Sequence, residues 1–578
     1  MLHSITKDEK QSPFGFRTLE SILIWSSYPS LLLGLGYILF FSQILLHWKT
    51  QSHLSSIVLT LIAALAMILG LGLVLLLFRA LFTLLSSQLE SAGLRKIIKP
   101  VCLVLVVLFI VAFFSATKPA HTYQDGDFLG YHLGLSKNAW ITGNWKPLNW
   151  QYFEFISLVV QYGLSFLWVS LPLLNKLPQF LILCFLAIKI LIFFQILNIR
   201  NKPFAGLFSV LALFSFWGVA LQVGSAMMDL PNLYWLMSIL VFIASLTSNS
   251  KVKNTRNWKW VNLLFGIDLA AYLGHKSFGF IFIIAITAMA TVLLKLVFKY
   301  NWLPTLKKIR WTYAAIPLLF ISVPNLSRTR YYTADPFYPV FPKLTETFCD
   351  DSHQSGRSCT THLALSQDLN RIKDGVYYKR DFIGIPKTFL RLPFTSTPLQ
   401  RSGFFFGQGP YDYPLGLFWF AVWGFLLFST LKFRKTLGKL GLFWSGMASG
   451  LYLVWYMGSQ QSRWLYPCLL TLSLYWGYAL AHLDWKVRTQ KQTAVIALSL
   501  SIAFVFSNSI LILGNQKRTL TCKGSGCLRF ESILYEDFQR KCLDEPINIL
   551  NEEETNHRGY LSCPSLGPTP SPVRLPQP

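Results

Sequence analysis

The sequence predicts an all-α polytopic membrane protein with about thirteen transmembrane helices, and three observations carry that expectation. Charged residues make up only 13% of the 578-residue chain and hydrophobic residues 53%, with mean hydropathy +0.43. A soluble protein carries about 25% charged residues, so this chain lacks the polar surface to cover itself in water. Apolar runs of about 17 to 25 residues, each long enough to cross a bilayer, recur along most of its length. The Lys and Arg residues gather in short connections between those runs, as the orientation bias of inner loops requires. The net charge of +26 is therefore an orientation signal and not a nucleic-acid-binding stripe.

Taken in order, residues 1–20 carry Lys7, Lys10 and Arg17 and are expected in the cytoplasm, with no cleavable leader evident. Ser21–His47 crosses once, Ser55–Leu77 returns, and Arg95, Lys96 and Lys99 hold the next connection inside. Pro100–Ser115 crosses a third time. Phe153–Leu171 is apolar enough to cross, yet every later basic loop then falls on the wrong side. It reads instead as an outer juxtamembrane helix lying in the interface. Phe180–Leu197, Phe204–Leu221, Leu230–Leu246, Trp260–Gly274, Phe278–Val297 and Trp311–Val323 follow. After a long outer loop come Tyr413–Leu431, Leu440–Met457, Trp464–Ala481 and Thr493–Leu513. The inner loops 199–203, 249–259, 299–310, 432–439 and 484–492 then hold 17 Lys and Arg against one acid, Asp484. The outer turn 223–229 holds no base, and 458–463 holds Arg463 alone.

The domain division follows: 1–99 as a cytoplasmic segment with two extra spans, and 100–326 as the membrane core with its first outer loop at 116–179. A long extracytoplasmic loop at 327–412, the last spans at 413–514, and a Cys-containing, Pro-rich tail at 515–578 complete it. No fixed-period repeat is visible. Cys349, Cys359, Cys522, Cys527, Cys542 and Cys563 lie outside the spans, an even number suited to disulfides in an oxidising compartment. Their connectivity stays open. Cys522-Lys-Gly-Ser-Gly-Cys527 lacks the second ligand pair that a zinc site needs.

The candidate chemistry lies at the outer ends of the spans. Asp125-Gly-Asp-Phe-Leu-Gly-Tyr-His-Leu-Gly-Leu-Ser-Lys137 follows the third span directly. If Leu129–Lys137 is helical, Tyr131 and His132 fall near Asp127 across the first turn. Such a group can accept a hydroxyl proton and hold an anion beside it; a solvated loop capped by Asp127 is the plainer alternative. Asp229 sits at a second outer turn, as a cap or a site acid. His275 and Lys276 sit at a third turn, Asp335-Pro-Phe-Tyr-Pro339 opens the long loop, and Arg463 stands at a late mouth. Asp268, inside the short span 260–274, is either a functional acid or the partner of a neighbouring helix's Lys or hydroxyl.

In this order the motifs resemble those of the GT-C-fold glycosyltransferases, which include protein O-mannosyltransferases and the bacterial transferases that decorate lipid A. The matching positions are Asp127, Tyr131, His132, Lys137 and Gly143, then a helix at 153–171, then Asp229. Gly274, Lys276 and Ser277 come next, then Asp335–Pro339, then Gln461, Arg463, Trp464 and Pro467. Two spans precede the motif helix where better-known members have one, and Asp335 stands where Asn is usual. The resemblance covers roughly residues 100–480.

The resemblance implies inverting sugar transfer from a polyprenyl-phosphate donor to a lipid, glycan or protein acceptor on the extracytoplasmic face. The membrane would be a bacterial cytoplasmic one. Asp127 would be the general base and Asp229 an orienting acid. Tyr131, His132, Lys137, His275, Lys276, Tyr338 and Arg463 would bind the donor's phosphate or sugar. No cofactor is required; were a divalent metal used, Asp125 and Asp127 would ligate it with water. Three rivals stand beside this. A transporter calls for a repeat and midplane acids, a surface-polysaccharide polymerase or ligase for arginines and a large outer loop, and an inactive scaffold for neither.

Overall fold

The computed structural model of the chain describes residues 19–50, 54–87, 92–117, 136, 139–140, 159–171, 174–197, 202–223, 228–247, 256–274, 286–293, 307–333, 382–394, 414–457 and 462–521. Every regular element among them is a helix. In chain order these are α1 (Leu19–Trp25), α2 (Tyr28–Thr50), α3 (Ser56–Ser87), α4 (Ala92–Ala116), α5 (Val159–Ser170) and α6 (Leu177–Ile196). Then come α7 (Lys202–Ser215), α8 (Trp217–Gln222), α9 (Leu233–Thr247), α10 (Arg256–Leu273) and α11 (Trp311–Thr333). The last are α12 (Gly384–Arg391), α13 (Phe418–Lys432), α14 (Arg434–Met457), a 3-10 turn (Ser462–Leu465), α15 (Tyr466–His482) and α16 (Arg488–Thr521). The span expected at 278–297 is described as helix over 286–293.

Five of the described helices contain stretches long and apolar enough to cross a membrane: Tyr28–Thr50, Ser56–Ala80, Ile98–Ala116, Leu177–Ile196 and Arg488–Leu513. Phe204–Ser215, Leu233–Leu246 and Phe418–Lys432 are apolar but shorter. The protein is an integral membrane protein whose expected spans each overlap described helix.

Where the elements depart from the expected spans, the local chemistry explains it. The first span breaks at Ser26-Ser27. Pro29 has no N–H to give the Trp25 carbonyl, and its ring crowds that carbonyl. The Ser26 and Ser27 hydroxyls donate back to the Leu23 carbonyl at 3.1 and 2.7 Å, drawing the chain out of the helical ladder. Phe216 takes an extended conformation between α7 and α8 (φ −71°, ψ 126°). Helix α11 runs ten residues past the expected Val323, through Pro317 and Pro324. The juxtamembrane helix α5 has its described side chains buried apart from a half-buried Ser170, so it is enclosed by the bundle and not laid on it.

Helix α6 is buried along its whole length, which is why it reads as apolar all round. Close contacts between helices fall at small residues, since lipid gives little drive for larger ones to associate. A Cβ on Gly36 of α2 would lie 1.5 Å from the Gly163 carbonyl oxygen of α5, and one on Gly266 of α10 2.0 Å from that of Ala314 on α11. On α15, a Cβ at Gly477 would lie 2.0 Å from Ser209 Oγ and 2.1 Å from the Ala205 carbonyl oxygen of α7.

The bundle has two unlike ends. At one, Lys308 Nζ donates to the Leu246 carbonyl (3.3 Å) and the Arg310 amide to Asn262 Oδ1 (2.9 Å), joining α9, α10 and α11. Tyr478 Oη donates to the Leu437 carbonyl (2.6 Å), joining the end of α15 to the start of α14. Following the chain, Arg256, Lys307, Lys432, Arg434, Lys486 and Arg488 share this basic end.

Gly477→Ala is expected to lower stability by about 1–3 kcal/mol, because two backbones must part to admit the methyl. Gly72→Ala, with nothing within 4 Å of the new methyl, is expected to change little. Thermal unfolding of the two variants in one detergent compares them; equal melting would show that α7 and α15 are not in this contact.

Candidate functional site

Of the expected site residues, Asp125, Asp127, Tyr131, His132, Lys137, His275, Lys276 and Tyr338 lie outside the described residues. So do Cys349, Cys359, Cys527, Cys542 and Cys563, while Cys522 directly follows the last described one. Among the described residues Cys102, Cys184 and Cys468 are free thiols, and no three His, Cys, Asp or Glu side chains gather as a metal site would need. Asp229 and the turn carrying Arg463 are described.

Asp229 stands in a tight run of turns that leads into α9. The Asn232 amide donates to the Met228 carbonyl (3.0 Å), Leu233 to Leu230 (3.0 Å) and Tyr234 to Pro231 (2.9 Å). Pro231 suits this entry because a first-turn residue has no helical acceptor for its missing N–H. The carboxylate is only 5% exposed. Tyr234, the second residue of α9, has its ring 5.9 Å from Lys189 Nζ in the middle of α6. The start of α9, with Asp229 just before it, is therefore recessed into the bundle.

The Arg463 turn comes to the same end. Tyr466 Oη, at the first residue of α15, donates to the Gly218 carbonyl of α8 (3.3 Å). The chain then runs from α8 to the Asp229 turn. The Trp217 amide donates to the Leu415 carbonyl (3.0 Å), the Leu415 amide to Leu392 (2.9 Å) and the Gly416 amide to Pro393 (3.1 Å). Gly416 has φ +78°, and a Cβ there would lie 3.0 Å from that of Trp217, so the crossing requires glycine.

The loop that carries the Asp125–Lys137 cluster is pinned where it ends. Trp140 is buried; its Nε1 donates to Ser165 Oγ of α5 (2.6 Å), and its carbonyl accepts from Gln43 Nε2 of α2 (3.0 Å). Beside this anchor Phe40 stacks on Tyr162 at 4.6 Å between centroids. Near Tyr162 also lies Arg328 of α11, 8% exposed, its guanidinium carbon 6.0 Å from the ring centroid. Asn325 Nδ2, one turn before it, donates to Tyr37 Oη (3.2 Å). A guanidinium at the end opposite the basic one is suited to an anion. Sequence reading passed over Arg328, although the pair Arg328 and Arg330 beside an expected outer loop was a visible breach of the charge rule.

A second polar group lies deeper, at the break between α1 and α2. Ser30 Oγ donates to Asp268 Oδ1 of α10 at 2.5 Å, and Lys189 Nζ of α6 donates to Ser27 Oγ at 2.8 Å. The two ionisable groups are thus held at the same break, each by a serine hydroxyl three residues from the other. Tyr234 Oη of α9 lies 3.1 Å from the Ser26 carbonyl oxygen and 3.2 Å from Ser30 Oγ. Lys189 and Asp268 are 2% and 3% exposed. Of the two roles open to Asp268 from sequence, the structure shows the partner of a hydroxyl on a neighbouring helix, that of Ser30. Lys189 was missed; its signal was a single cation in the middle of an otherwise apolar span.

No family model matches the sequence, and no curated protein matches it either. Two solved structures are similar to the chain. One is ArnT from Cupriavidus metallidurans bound to undecaprenyl phosphate, at 14% identity and TM-score 0.42, covering 82% of this chain and 75% of that one. The other is the Archaeoglobus fulgidus oligosaccharyltransferase tethered with an acceptor peptide, at 14% identity and TM-score 0.42, covering 79% of this chain and 59% of that one. The chain thus matches less than two thirds of the second protein's length. Neither likeness transfers a residue's role, a carrier or an acceptor to this chain.

Asp268→Leu leaves the Ser30 hydroxyl without its acceptor and removes the carboxyl group nearest Lys189, and is expected to cost about 1–3 kcal/mol. Adding Lys189→Met should recover most of that loss. The readout is the fraction of monodisperse protein surviving a temperature series in detergent. If the double variant proves no better than the single one, the two charges are not coupled.

Proposed function

We propose that the chain is an integral-membrane glycosyltransferase that moves a sugar from a polyprenyl-phosphate carrier to an acceptor on the extracytoplasmic face. The observation that carries the reading is convergence. The turn bearing Arg463 leads into Tyr466, which bonds α8, and the chain from α8 leads to Asp229, so the two turns, far apart in sequence, stand at the end opposite the basic loops. The anchor of the Asp127 loop and Arg328 belong to that same end, by the course of α11 away from Arg310. Acids and cations gathered where a lipid phosphate meets water suit a reaction that needs a base and a stabilised anionic leaving group.

In this scheme the Asp127 carboxylate takes the proton of the acceptor hydroxyl as its oxygen attacks the anomeric carbon. The bond from that carbon to the lipid phosphate breaks on the opposite face, inverting the centre. Arg463, Lys276 and His275 meet the charge of the departing phosphate, and Asp229 orients the acceptor or the donor sugar. Tyr131, His132, Lys137 and Tyr338 line the donor.

The broken first span with its buried Lys–Asp pair favours a second reading, a transporter, because discontinuous helices at depth build such sites. Against it, the hydroxyls there already hold the lysine and the carboxylate.

Asp127→Asn is expected to cut transfer by about 10²–10⁴-fold and Asp229→Asn to reduce it clearly, with the protein still present in the membrane. Mass spectrometry of surface glycolipids and glycoproteins, with and without each variant, reads a mass difference of one sugar. Full activity of the Asp127 variant would end the transferase reading, and a transporter should keep its function there.

A further inference from the structure

Helix α12 takes no part in that chemistry. One side of it is fixed to the bundle. Trp419 Nε1 of α13 donates to the Phe389 carbonyl (3.1 Å) and Tyr452 Oη of α14 to that of Ile385 (3.0 Å). The Phe389 ring lies 5.2, 5.8 and 5.9 Å from those of Trp419, Trp423 and Tyr452. Trp419 is in the first turn of α13 and Tyr452 near the end of α14, so α12 sits at the end of the bundle opposite the basic loops. Its other side faces outward. Phe382 is 91% exposed, and Ile383, Leu390 and Phe394 are exposed with it. Lys387 and Arg391 are exposed among them, and no acid occurs between Phe382 and Phe394.

A side that mixes large apolar groups with cations suits neither water nor the acyl core. Water leaves the apolar groups unburied, and hydrocarbon strips the ammonium and guanidinium of solvent. Both are satisfied at headgroup depth, where phosphates lie beside the first methylenes. Exposed apolar side chains also stand near it on the helices it packs against, at Leu417 just before α13 and at Leu453 and Met457 near the end of α14.

We propose that α12 is an in-plane helix seated in the headgroup layer at this end of the bundle, where Lys387 and Arg391 hold the phosphates of anionic phospholipids. The proposal does not depend on the transferase reading.

The test uses the full chain reconstituted in phosphatidylcholine vesicles, with a fluorescent unnatural residue in place of Phe382. Chain-spin-labelled phosphatidylglycerol or phosphatidylcholine is added at equal mole fraction as a local quencher. Both lipids should quench, with the anionic one enriched roughly thirtyfold beside the probe, the scale expected of two cations near a membrane surface. Lys387→Gln with Arg391→Gln should abolish that preference while leaving both lipids able to quench. The proposal is overturned by an unquenched probe, which means water or a protein covers the helix. It is overturned equally by no preference in the parent chain, or by a preference that survives the double substitution.

Discussion

A buried ammonium or carboxyl group in an apolar bundle must be met by hydrogen-bonding groups, and that requirement constrains the arrangement of the central helices. Lys189 and Asp268 come from α6 and α10, and the hydroxyls that hold them come from Ser27 at the break and Ser30 of α2. Hydrophobic packing alone would tolerate many rotations of these helices, because lipid and leucine are nearly equivalent neighbours. The polar group does not. Turning α10 by one residue, about 100°, would move the carboxylate away from Ser30 and strand it. The break between α1 and α2 is the counterpart: there the Ser27 hydroxyl accepts from the lysine and the Ser26 carbonyl from Tyr234.

Much of the layout was legible in the sequence, because helix position in a membrane is recorded in one dimension. Hydropathy located the spans and the basic loops gave their alternation; the described helices follow both. Asp268 stood out for the same reason, as an acid where acids are costly. The residues that escaped depend on information the linear pattern does not hold. Whether Lys189 finds Asp268 or lipid depends on which helices are neighbours and how each is rotated. The break at Ser26-Ser27 was signalled by Pro29, yet one proline in a long apolar run is compatible with a mere kink. Arg328 and α12 lay within what read as a long polar loop, where periodicity over so few residues carries little weight. Of the candidate site, Asp229 and the Arg463 turn are described and stand toward one end, while the remaining expected residues lie outside the described ones.

The two ends of the molecule divide the work of a membrane protein between them. The basic end is a set of helix-to-helix fastenings, such as Lys308 on the Leu246 carbonyl and Arg310 on Asn262. The opposite end is assembled from segments distant in the chain that are stitched by backbone hydrogen bonds, as at Trp217, Leu392 and Leu415. Main-chain stitching, with a few side-chain anchors such as Tyr466 and Trp419, holds the frame there and leaves other side chains to vary. That is the condition for a surface whose chemistry varies while its frame stays the same.

The broken first span also has a consequence for biogenesis. Its serines leave the ribosome long before their partners: Lys189 follows Ser27 by 162 residues and Asp268 follows Ser30 by 238. At about 5–20 residues per second, the nascent first span waits on the order of ten to fifty seconds for them. During that interval its bent backbone and hydroxyls have only the insertion machinery or one another to turn to.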